Sequence, residues 1–309
     1  ALIILIIFSV LATAAFLAFR NVRLGRGDRS GGTRLAVVVF GSAILIWALT
    51  SDHVNDPDAE LQAFLDFAGT ALLVAAMFWA FYLALEPYVR KTMPERLVSW
   101  SRLLTGRWRD PLVGRDILVG GVFFLFLTLA GSARVLLPDL LGNPLPRPVD
   151  ANFEALLGPL PALASALASF VNGTFNSMLF FLLLVLLRIV FRNVWIAAAL
   201  YLVGFVGFEL FTAPSGEKLA HGILGALLAV AWLVMLLRYG LLAFLVGFAF
   251  DEMLSKAPLT TDFSTWYAGT GWFFVAIVLA VTAWGLVTAL GGRSLLGSPG
   301  SLRSPSGSS

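Results

Sequence analysis

Apolar runs alternate with short polar segments along almost the whole chain. The runs cover residues 1–19, 35–50, 67–85, 117–131, 175–187, 194–211, 219–237, 239–250 and 267–290. A helix rises about 1.5 Å per residue, so about 20 apolar residues cross a hydrocarbon core about 30 Å thick. Several runs are shorter than that. The Trp, Tyr and Arg residues that flank them make up the length by reaching to the interface. Backbone amides find no water inside lipid, so each run must close its own hydrogen bonds as a helix. The pattern predicts an all-α, polytopic membrane protein with about nine transmembrane helices.

The polar segments between the runs have patterns of their own. Residues 20–34 are basic and rich in glycine, which predicts a mobile loop beside anionic lipid. Gly25-Arg26-Gly27 follows no strand, so it is not a nucleotide loop. Within residues 87–116, Thr92 and Glu95 have capping-box spacing, Pro94 falls in a first turn and Gly106 supplies a stop. Leu97, Val98, Trp100, Leu103 and Leu104 share one arc, while Glu95, Ser99 and Arg102 face away. This predicts an amphipathic helix in the membrane interface, with Trp100 and Trp108 at headgroup level. Residues 153–171 carry Pro159 and Pro161 and precede Asn172-Gly173, which predicts a second interfacial or re-entrant helix on the opposite side. Residues 1–296 then form one transmembrane domain. Residues 297–309 are Gly, Ser and Pro with one Leu and one Arg, and predict a disordered tail.

Charge orients the bundle. With nine crossings and the first run starting outside, only Arg134, Arg147, Lys218 and Lys256 lie on the outer side. The other 17 of the 21 Lys and Arg residues lie inside, as the positive-inside rule requires. A tenth crossing at 153–171 would spoil that split, to 14 against 7. The expected location is a bacterial inner membrane, with the N-terminal end of the chain outside and the tail cytoplasmic. The chain opens at Ala1 directly in an apolar run, without Met or a basic leader. A cytoplasmic region and one further span upstream would account for that start.

Composition narrows the chemistry. The chain is 59% hydrophobic and has no cysteine, which removes disulfides, thiolate nucleophiles and cysteine-ligated metals. Charges fall at the ends of runs rather than mid-membrane, which argues against a proton relay or ion path. His53 stands among Asp52, Asp56, Asp58 and Glu60, and Glu217 lies four residues before His221. These form a weak outer polar site, short of a metal-ligand pattern. Small residues at Ala162, Ser165, Ala166, Ser169, Gly204, Gly207, Gly222 and Gly225 predict close helix packing. The inner candidates for an interface or docking surface are Trp100, Arg102, Arg107, Trp108, Arg109, Asp110 and Arg115. No catalytic, cofactor or metal residue is assigned.

Three segments carry a family resemblance. Ala84 to Arg90 reads Ala-Leu-Glu-Pro-Tyr-Val-Arg, followed by Pro94-Glu-Arg-Leu and Trp100-Ser-Arg-Leu-Leu. Arg109 to Asp116 reads Arg-Asp-Pro-Leu-Val-Gly-Arg-Asp, and Thr261 begins Thr-Asp-Phe-Ser-Thr-Trp-Tyr-Ala-Gly. These resemble the C-terminal multi-span membrane region of bacterial serine/threonine protein kinases, acidobacterial ones among them. The resemblance implies a membrane-anchoring and signal-sensing domain of a receptor-like kinase. Its implied partners are the lipid bilayer, its own upstream kinase domain and a homodimer mate, with no nucleic acid. The chain itself holds no kinase Gly-rich loop, Val-Ala-Ile-Lys strand, His-Arg-Asp loop or Asp-Phe-Gly. ATP and Mg therefore belong to the kinase domain this chain lacks, and no cofactor is expected here. The alternatives are an integral membrane transporter and a lipid-acting membrane enzyme built on the basic inner loop.

Overall fold

The computed structural model describes residues 2–51, 53, 55–140, 153–213, 218–255 and 257–291. Every regular element among them is helical. In chain order these are α1 (Leu2–Arg23), α2 (Arg29–Thr50), α3 (Pro57–Thr92), α4 (Val98–Leu104) and α5 (Pro111–Leu140). They continue as α6 (Pro159–Phe191), α7 (Val194–Thr212), α8 (Lys218–Val234), α9 (Leu241–Ser255) and α10 (Ala268–Leu290). Seven described stretches are long and apolar enough to cross a membrane: α2, α3, α6, α7, α10, the 111–131 part of α5, and α8 with its π-helical extension Met235–Tyr239. Large apolar side chains such as Phe8, Val37, Leu73, Val122, Leu129, Val190 and Val203 lie on the outside, more than water tolerates on one surface. The protein is a multi-pass, all-α membrane protein.

Small residues set how the spans meet. A side chain on Gly173 of α6 would run into the Ala249 backbone of α9, and one on Gly114 of α5 into the backbone of α10. Gly120 and Gly247 bring α5 and α9 together, and Phe123 covers Gly247. Helix α9 is therefore sheathed by protein, with Leu241 to Gly247 all buried. It has 15 residues, about 22 Å at 1.5 Å per residue, so it is too short to cross the core alone. Phe180, Phe205, Trp232, Phe244 and Phe248 fill the space between α6, α7, α8 and α9 with rings 4.4 to 6.4 Å apart.

Several expectations need correction. The break at Asn172-Gly173 does not form: Phe153–Leu157 is a 3-10 turn, and α6 then runs unbroken for 33 residues. Pro159 and Pro161 sit in its first turn, where a missing N–H costs nothing. No separate interfacial helix over 153–171 exists. The 20–34 loop shrinks to residues 24–28, because α1 persists to Arg23 and Asp28 caps α2 by accepting from Gly31 N–H at 2.9 Å. The 87–116 loop begins only after Thr92, because α3 stays helical through Pro87. Of the small residues expected to pack, Gly204 and Gly207 face open space. The tail at 297–309 lies outside the described residues.

Candidate functional site

The basic ends of the helices gather at one end of the bundle. Asn21 of α1, Asp28 before α2, and Tyr82, Glu86 and Arg90 of α3 form one polar knot there. Its origin is Pro87, which has no N–H to give to the carbonyl one turn back, at Leu83. A side chain replaces the missing donor: Asn21 Nδ2 donates to Leu83 O at 2.8 Å, and Asn21 is buried. Next to it Glu86, also buried, pairs with Arg90 and accepts from Asp28 N–H at 3.3 Å. Tyr82 Oη donates to Asp28 at 3.2 Å. The Glu86-Pro87 pair thus joins three helices through one carbonyl and one carboxylate.

A second set of contacts straps residues 94–116 to the same end. Pro94–Arg96 forms a 3-10 turn and α4 follows. Thr92 does not cap it: its hydroxyl bonds back to Tyr88 O, because α3 holds Thr92 as its last residue. Nor does Ser99 face away. It is buried, and its hydroxyl donates to Asp116, which is also fully buried at the start of α5. Arg115 closes the other side of the Asp116 carboxylate through Nε at 2.9 Å and Nη2 at 2.7 Å. Arg102 reaches both oxygens of Asp110 at 2.6 and 2.8 Å. Asp110 also accepts from Leu112 N–H at 3.0 Å and so starts α5. Partial burial pulls the Asp110 carboxyl upward, but the hydrogen bonds from Arg102 and Leu112 and the Arg102 and Arg107 charges outweigh it, so it titrates below the usual carboxylate range. Arg96 donates to Arg238 O at 2.5 Å. Beside that contact, Gly240 takes φ +96° and presses its backbone against the Arg96 backbone, where no side chain fits.

Each inner candidate therefore has a definite place. Arg102 and Asp110 clamp each other, and Arg115 is committed to Asp116. Trp100 is buried in the protein, not set at headgroup level, because α4 packs inward on its strap. Trp108 is exposed, and with Arg107, Arg109, Pro111 and Trp284 it borders an open hollow of about 700 Å³. Missed in the sequence were Ser99, Asn21 and the partner role of Asp116. A proline inside an apolar helix was the available signal, since it obliges some donor to reach the carbonyl four residues back.

A further cavity of about 630 Å³ opens between α1, α3 and α6. Arg20, Arg26, Lys91, Arg188 and Arg192 line it, with Asn21, Tyr88, Thr92 and an apolar floor that includes Pro87, Val185 and Ile189. Residues more than 160 positions apart in the chain meet here, so the structure places Arg188 and Arg192 at the same end as residues 20–26 and 87–92.

The outer candidates separate. His53 bonds Glu60 Oε1 at 2.6 Å and stacks edge-on with Trp47, so it belongs to the α2–α3 turn. His221 of α8 faces Glu209 of α7 at 3.6 Å, and Glu217 lies outside the described residues. No group of three His, Asp or Glu side chains suited to a metal occurs among the described residues. No family model matches the chain, and no curated protein or solved structure matches it.

Proposed function

We propose that this chain is the membrane-anchoring and signal-sensing domain of a bacterial receptor-like serine/threonine protein kinase. In this reading about nine segments cross the inner membrane, α1 among them, with the short α9 sheathed in protein and its crossing completed by the non-helical residues after it, and the basic end faces the cytoplasm. The supporting observation is where the resembling residues fall. Glu86, Pro87 and Arg90 lie in the polar knot of α1, α2 and α3, Arg102 and Asp110 clamp the strap to itself, and Asp116, held by Arg115, ties the strap to α5 through Ser99. A plain anchor needs one span. A strap fixed to α3, α5 and the α8–α9 junction carries a shift in the spans to whatever is attached on the inner side.

Arg96, Arg102 and Arg115 of the inner loop weigh against a lipid-acting enzyme there, since each already has a carboxylate within salt-bridge distance, which leaves Arg107 and Arg109 for such a role. The test uses the full-length protein encoded by the reading frame that contains this chain, in membrane vesicles, with ATP-dependent phosphorylation as readout. Ser99→Ala and Asp110→Asn are expected to leave membrane retention intact and to change phosphate incorporation. A reading frame without kinase motifs, or incorporation indifferent to both substitutions, overturns the proposal.

A further inference from the structure

We propose that the cavity between α1, α3 and α6 is a binding site for the phosphate headgroup of an anionic phospholipid. Five cations line it, contributed by α1, the turn after it, α3 and α6. No Asp or Glu lines it, and none of the five has a carboxylate partner among the described residues. Arginines of the knot and the strap behave differently: Arg90, Arg96, Arg102 and Arg115 each have a carboxylate within salt-bridge distance.

Local backbone charge does not neutralise the cluster. Helices α1, α3 and α6 all end here, and each C-terminus contributes about half a negative charge, roughly −1.5 in total. Five formal positive charges exceed that by about 3.5. The surplus makes the cavity strongly positive, and a phosphate group accepts several guanidinium hydrogen bonds at once.

Arg192 gives an independent indication. It is the α6 C-cap and has φ +55°, the one non-glycine residue with positive φ among the described residues. Glycine or asparagine is the ordinary occupant of that position, for steric reasons. An arginine held there accepts backbone strain and brings its guanidinium to the same cavity as Arg188, one turn earlier.

The floor selects a lipid over free phosphate. Leu24, Pro87, Val185 and Ile189 line the cavity with apolar surface, and α3 and α6 continue from it as membrane-crossing helices. Basic pockets between membrane helices near the surface fit this class of headgroup. The site does not depend on the kinase reading, and its test reads binding alone.

The full chain in zwitterionic nanodiscs is titrated with short-chain phosphatidylglycerol, with short-chain phosphatidylcholine and with inorganic phosphate. Retained ligand is read by native mass spectrometry. Phosphatidylglycerol is expected to bind, and the other two are not at the same concentration. The double variant R188Q/R192Q is expected to weaken phosphatidylglycerol binding roughly 25-fold, about fivefold per charge. R107Q/R109Q, at the other hollow, is expected to leave it unchanged. R192G separates binding from folding: relief of the left-handed strain keeps Tm equal or higher, while affinity falls about fivefold. Equal retention of phosphatidylcholine, or R192G and R188Q/R192Q binding like wild type, overturns the site. Inorganic phosphate binding as tightly as the lipid overturns the assignment to a headgroup.

Discussion

Two sets of basic residues share one end of this molecule and behave in opposite ways. On the strap, Arg102 and Arg115 are paired with Asp110 and Asp116, and beside them Arg90 is paired with Glu86. In the cavity, Arg20, Arg26, Lys91, Arg188 and Arg192 have no acid among them in the described residues. A count of positive charge along the chain treats both sets alike, because topology responds to Lys and Arg whatever their partners. Partners decide the rest. A paired arginine fastens one piece of backbone to another, and an unpaired cluster stays available to an outside anion.

That contrast can be broken from either side, and the largest effect is expected on the strap. Gly240→Ala puts a side chain into the Arg96 backbone and asks alanine to hold φ +96°. A loss of about 3 kcal/mol is expected, combining left-handed strain with overpacking, read as the shift of unfolding midpoint in mixed micelles. A Gly240→Ala protein as stable as wild type would detach the strap from the α8–α9 junction. Next comes the polar knot. Asn21→Leu should cost about 1–3 kcal/mol by leaving Leu83 O without a donor. The double variant N21L/P87A should recover most of that loss, since alanine restores the N–H within α3. Additive losses would show that Asn21 does something other than serve that carbonyl.

Ser99→Ala is expected to cost about 1–3 kcal/mol, because the buried Asp116 carboxylate loses a hydroxyl donor while keeping Arg115. The smallest effect belongs to Asp110→Asn, at most about 1 kcal/mol at neutral pH because Arg102 stays partly in water. Its pH dependence is more telling. The Asp110 carboxyl is lowered in the folded protein, so its contribution is complete above the unfolded value of about 3.9 and is lost as pH falls through the lower folded value. Wild type should therefore lose this increment in acid while Asp110→Asn does not. Parallel stability profiles below about pH 4 would rule out the clamp.

The helices were the legible part of this sequence, because lipid leaves the backbone no alternative and apolar runs mark where it must comply. Their ends were harder. Residues 20–34 read as a loose loop because four glycines and five arginines look flexible in isolation. What closes the loop is Tyr82 and Glu86, more than 50 residues away. Asn172-Gly173 read as a break because the pair favours turns. In the bundle Gly173 is there so that α6 can touch the Ala249 backbone. Ser99 read as a surface residue from its angle on one helix. Helix α4 has only seven residues and belongs to the strap, and Asp116 lies on the side that looked polar. Local pattern identified what each segment is made of. Long-range partners determined which groups meet.

Helix α3 has 36 residues, about 54 Å from end to end, nearly twice the depth of an acyl core. A rod that outreaches its slab has to lean or protrude, and the lean follows the thickness of the surrounding lipid. Tilting it by about 5° sweeps one tip about 5 Å sideways relative to the other. Lys91 and the Glu86–Arg90 pair ride on one of those tips, so a modest change in bilayer depth arrives there as a displacement larger than a hydrogen bond is long.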